Sequence, residues 1–230
     1  MQLYVMKLSH YCERARWGLD HVGIAYEERA WVPALHVPLA RRLAKQTFVP
    51  ILVTGAGVVQ GSDAILSWAG LDTGDAALEH RFETVIAPLV REYFYAGTLH
   101  DPRSGVRDEL LHGAPPVQAA LGRAGWPIIR RAMAKHMAIQ PERLLELEQR
   151  IDDELDWADA QVADNGPLGG NGFGRNAITA ASLLAPLARP DAMPLYRQIR
   201  FAPEMECAFE RWSTRPAVRW AGETYARHRH

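Results

Sequence analysis

Strand character ends at about residue 72 of this 230-residue chain. Before that point short β-branched and aromatic runs alternate with segments of helical spacing; after it, apolar residues recur only every three or four positions. The chain therefore divides into an α/β domain over residues 1–72 and an all-α domain over residues 73–230. With 48% hydrophobic residues it can build a core for each.

Within the first part, MQLYVM (Met1–Met6) has the composition of a buried strand. From Tyr11 the period changes: Cys12, Ala15, Leu19 and Val22 define an apolar helix face, Glu13, Arg14, Asp20 and His21 the opposite face, and Gly23 the stop. Tyr26–Trp31 alternates as a strand ended by Pro33, and Leu35–Lys45 predicts a short, irregular helix interrupted by Pro38. Phe48–Val53 is strand-like again, and Thr-Gly-Ala-Gly turns it back into Val58–Gln60 as a hairpin. Ser62 is expected to cap a helix over Asp63–Ala69, with Asp63 in the first turn, where the helix dipole favours an acid. The order is β-α-β-α-β-β-α.

In the second part Phe82, Val85, Ile86, Leu89 and Tyr93 trace one helix face, with a kink expected at Pro88. A Pro- and Gly-rich stretch runs from Pro102 to Pro127. Leu144, Leu147, Ile151, Leu155, Ala158 and Val162 then form the cleanest helical stripe, opened by Pro141.

Gly55, Gly57 and Gly61 follow a strand, as a dinucleotide-binding loop would require. Their spacing departs from that pattern, and Val59 stands where the backbone would have to approach a phosphate. No further βα units follow to extend a parallel sheet, so these glycines are assigned to the hairpin.

A net charge of −1 implies no bulk attraction to nucleic acid or to an anionic membrane. Two cysteines, Cys12 and Cys207, suit a reducing compartment, and no apolar run reaches membrane-span length, so a cytoplasmic protein is expected. The nine histidines lack metal-ligand spacing; no metal is expected, and Arg227–His230 reads as a solvated end.

Chemistry concentrates where the first strand meets the first helix. Ser9 lies beside unpaired helix amides and a positive dipole end, a place that favours an anion, although a serine there also serves simply as a cap. Cys12, three residues on, is either a redox thiol or an inert small hydrophobe in register with Ala15 and Leu19.

Ser9-His10-Tyr11-Cys12-Glu13-Arg14-Ala15-Arg16, Val49-Pro50 and Gln60-Gly61-Ser62-Asp63-Ala64-Ile65 resemble, in order and separation, three landmarks of the glutathione transferase N-terminal domain. FGRNAITAASLLAP (Phe173–Pro186) resembles the capping segment of that family's helical domain, with Thr179 and Ser182 as an imperfect capping pair. The chain is thus similar to a bacterial-type member with a Ser-x-x-Cys motif. The resemblance implies a thioredoxin-like N-terminal domain plus an all-α C-terminal domain, glutathione as co-substrate, a small apolar electrophile as partner, a homodimer and a detoxification role.

The resemblance also implies residue roles. Ser9 would activate the glutathione thiol; a cis Val49-Pro50 bond would turn the Val49 backbone toward the tripeptide, in place of an ordinary edge strand; Ser62 would take the γ-glutamyl carboxylate. Gly61 and Phe48 depart from the family pattern, leaving Gln60 or Asp63 to meet the γ-glutamyl amino group. Tyr93, Tyr95 and Trp126 are either core aromatics or the wall of an electrophile pocket. Two rival functions keep the fold: a glutathione-dependent thiol transferase or reductase using Cys12, and a non-catalytic binding module.

Overall fold

The computed structural model describes residues 1–72, 74–166, 168 and 172–229. Thr73, at the expected domain boundary, and His230 lie outside the described residues.

Four strands, β1 (Gln2–Val5), β2 (Glu27–Ala30), β3 (Ile51–Thr54) and β4 (Gly57–Gln60), form one mixed sheet in the order β2-β1-β3-β4. β1 runs parallel to β2 and antiparallel to β3, and β3 and β4 make the expected hairpin. On one face of the sheet, α1 (His10–His21) and α3 (Ser62–Trp68) bury Cys12, Ala15, Leu19 and Ile65 against Leu3, Val5 and Leu52. On the other, α2 (Val37–Leu43) packs Ala40 against Trp31 and Ile51. This is the expected thioredoxin-like arrangement. Pro38 opens α2 rather than interrupting it, because a first-turn N–H has no helical partner to lose.

The helical part begins with α4 (Ala76–Arg81), a single π turn (Phe82–Ile86) and α5 (Ala87–Thr98). The widened turn comes just before Pro88, which has no N–H to give the carbonyl of Thr84. The extra residue shifts the helical phase: Phe82, Ile86, Leu89 and Tyr93 are buried, but Val85 is exposed, against expectation. The Pro- and Gly-rich stretch is also more regular than its composition suggested. It forms α6 (Val106–Leu111), α7 (Pro116–Ala124) and α8 (Trp126–His136), with Pro116 and Pro127 at first-turn positions of α7 and α8.

After a 3₁₀ turn (Pro141–Arg143) comes α9 (Leu144–Asn165), whose stripe Leu147, Ile151, Leu155 and Ala158 is buried as expected. α10 (Arg175–Ala188) is the central rod, buried from Arg175 through Leu187; α11 (Pro194–Gln198) follows, and α12 (Pro203–Ser213) and α13 (Pro216–His228) pack against it. Thr179 and Ser182 are interior residues of α10 rather than a cap, which falls to Gly174. Among the described residues no strand follows β4, and no helix is long and apolar enough to cross a membrane.

One expectation fails more fully. Glu13 and Arg14, placed on the outer face of α1, are buried, because α10 covers the side of α1 that faces away from the sheet and Tyr225 of α13 packs on Trp17. Val22, assigned to the buried face, is exposed beyond the end of the helix.

Candidate active site

The turn after β1 delivers Ser9 to the cap position just before α1, with extended backbone and its hydroxyl oxygen accepting from the Cys12 N–H at 3.3 Å. That bond satisfies one of the free first-turn amides and fixes the side chain. As an acceptor Ser9 caps the helix; its own O–H proton remains available to donate.

The peptide bond between Val49 and Pro50 is cis, as the resemblance implies. Pro50 precedes β3, so no strand-ladder donor is lost, and its carbonyl accepts from the Gly61 N–H at 2.9 Å. The approach to this bond is held by Gln60, whose amide donates to the carbonyls of Gln46 (3.0 Å) and Phe48 (2.9 Å) while its oxygen accepts from the Gln46 N–H (3.1 Å). Gln60 is thus occupied in shaping the Val49 loop.

Ser62 is buried as the first residue of α3 and does not cap it. Gly61 occupies the cap position at φ 98, a conformation open to glycine that turns β4 sharply into α3. A Cβ at Gly61 would meet the Phe48 ring at 3.5 Å, so the two departures from the family pattern lie side by side. Asp63 is half-exposed and ion-paired to Arg175.

A cavity of about 440 Å³ lies between the two domains. Ser9, Phe48 and Val49 line it from the α/β side, Arg91, Phe94 and Tyr95 of α5 and Met133 of α8 from the helical side. Pro50, Gln60, Gly61, Ser62 and Asp63 are not on its wall, and neither is Cys12, which is fully buried. Burial raises the Cys12 thiol above its ordinary value, opposite to what a reactive thiolate needs. Of the three aromatics considered, only Tyr95 reaches the cavity. Tyr93 packs edge-on in the core against Trp212 and Phe209, and Trp126 packs on the core without lining the site.

No aspartate or glutamate is among the described lining residues, whereas Arg41, Arg91, His36 and His136 are. This donor set suits a ligand that carries carboxylates. His10 also lines the cavity; burial, with Arg91 nearby, lowers its pKa to about 3, so its imidazole is neutral at neutral pH. Burial raises Tyr11 to about 12, and its hydroxyl donates to the Glu83 carbonyl at 3.0 Å. Sequence reasoning missed Arg91, Met133 and His136, since nothing local ties them to Ser9. Ala34, also on the wall, holds the left-handed region at φ 64 without being a glycine, and no sequence signal marks it.

The fold is the two-domain glutathione transferase architecture. Residues 3–73 match the family described as Glutathione S-transferase, N-terminal domain. Among solved structures, the chain is similar over 100% of its length to 97% of the glutathione transferase GSTFuA3 from Phanerochaete chrysosporium, with TM-score 0.64 and 14% identity. It is also similar to the theta class glutathione S-transferase of Xanthomonas axonopodis pv. citri with glutathione bound (TM-score 0.57, 18% identity, 95% of this chain and 94% of that one). Gtt2 from Saccharomyces cerevisiae gives TM-score 0.56 at 15% identity, covering 96% and 100%. No curated protein matches the chain by sequence.

Proposed function

We propose that this protein is a glutathione transferase-like enzyme that activates the glutathione thiol for attack on a small apolar electrophile. The observation that carries this reading is the placing of Ser9 and Val49 on the wall of one cavity whose opposite side is aromatic and methionine-rich. The Ser9 hydroxyl donates a hydrogen bond to the sulfur and, with the positive end of α1, lowers the thiol pKa toward neutrality. The Val49 backbone pairs with the tripeptide. The apolar wall then holds the electrophile close and excludes water. Asp63 and Gln60 support this site indirectly, through Arg175 and through the Val49 loop. In the same proposal the active form is a homodimer in the cytoplasm.

Calorimetric titration with glutathione is the test. Saturable heat with a sub-millimolar dissociation constant is expected; no heat up to millimolar ligand would leave a non-catalytic module instead. The thiol-exchange alternative is disfavoured by the burial of Cys12 and its absence from the cavity wall.

A further inference from the structure

One charge is set into the apolar side of the cavity. Arg91, one turn before Tyr95 on α5, lines the cavity, is half-buried, and forms no ion pair among the described residues. Its Nε is buried without a hydrogen-bond partner, and its guanidinium lies 6.0 Å from the Tyr11 ring centroid, a contact that orients the charge without neutralising it. The fully buried arginines behave differently: Arg14 pairs with Glu79 and Glu83, Arg16 with Glu28 and Glu13, and Arg175 with Glu79 and Asp63.

Neighbouring groups supply no counter-charge. Tyr11 and Tyr196 give their hydroxyls to the backbone carbonyls of Glu83 and Leu8, and no carboxylate is among the described lining residues. A half-desolvated guanidinium beside Phe94 and Met133 is unfavourable unless an anion meets it there. The planar fork of arginine suits a carboxylate in particular.

We propose that Arg91 determines specificity for the second substrate, and that the cavity takes an aromatic electrophile bearing a carboxylate or similar oxyanion, its ring against Phe94, Tyr95 and Met133 and its anion on Arg91. The role as substrate rests on the transferase reading; the recognition itself does not. Arg91 is carried by α5 of the helical part and Val49 by the α/β part, and the anion on Arg91 is assigned to the second substrate, not to the tripeptide.

Cinnamate and its uncharged isostere cinnamamide probe this in titrations near neutral pH. With the wild-type protein cinnamate is expected to bind about tenfold or more tightly than cinnamamide, the effect of one charge-assisted contact. In Arg91→Met the ratio should fall to within about twofold. Arg91→Gln, which keeps length and polarity, should lose the discrimination as well, and it stands in if the methionine variant does not fold. Equal binding of the two probes to the wild type, or an unchanged ratio in both variants, overturns the proposal. The discrimination should persist with saturating S-methylglutathione present; its disappearance would assign Arg91 to the tripeptide and also overturn it. If S-methylglutathione does not bind at all, the transferase reading fails, while the ratio of the two probes still decides the role of Arg91.

Discussion

The hydroxyl of Ser9 has two separable uses, as acceptor for the Cys12 N–H and as donor into the cavity. Ser9→Ala removes both. Loss of the cap should lower stability by about 1 kcal/mol. Loss of the donor should reduce kcat for conjugation of glutathione to chlorodinitrobenzene roughly tenfold to a hundredfold and raise the apparent thiol pKa in the pH–rate profile. An unchanged kcat would reduce Ser9 to a cap. Cys12→Ala is the counterpart: with its thiol buried among Leu3, Val5 and Leu52, the variant should keep full conjugating activity, and loss of activity in a folded variant would revive thiol exchange. His10 titrates inside the same wall. Its pKa falls from 6.5 to about 3 on folding, so the unfolded chain binds the extra proton between those values. Its contribution is whole above pH 6.5 and declines as pH drops toward 3, by up to about 1.4 kcal/mol per pH unit. Thermal midpoints of His10→Phe should therefore fall less steeply than those of the wild type on acidification, and parallel curves would contradict a buried neutral imidazole.

At the scale of elements, α1 shows where periodicity misleads. Its 3.6-residue pattern located the helix but assigned Glu13 and Arg14 to solvent, because that inference presumes one wet face. Here the sheet covers one side and α10 the other, so the charges lie inside and need partners. Glu79 on α4 accepts from Arg175 Nε with both oxygens, at 2.9 and 3.0 Å, and from Arg14. It thereby ties α1, α4 and α10 together. Glu79→Gln leaves two buried guanidinium groups short of charge and should cost about 3–5 kcal/mol in denaturant unfolding. A loss below about 1 kcal/mol would mean that Asp63 and Glu83 suffice. The hairpin, by contrast, was legible because its turn residues and β-branched flanks act locally. The Ser62 cap was misplaced by one residue, since only the backbone reveals that Gly61 takes the positive φ.

Over the whole molecule the two domains share a core. Leu8, Trp17, Val32 and Leu66 from the first part belong to the same buried cluster as Phe82, Ile178 and Tyr225 from the second. Trp17 and Tyr225 approach within 4.4 Å between ring centroids, and Arg229 near the end of the chain pairs with Glu13 at 2.8 Å. With its core divided between both parts, the protein should unfold in one transition, coincident by calorimetry and tryptophan fluorescence. Two resolved transitions would contradict a shared core.

Local backbone preference was enough to order the strands and helices of the first domain and to place Ser9 where strand passes into helix. Those features depend on neighbours in sequence, whose chemistry is visible in it. Which charges are buried, and which residues face Ser9 across the cavity, was decided only by the tertiary structure. Arg14 meets Glu79 from 65 positions away and Arg175 meets it from 96, and the environment that makes these pairs and the unpaired Arg91 consequential exists only once distant segments have excluded water together.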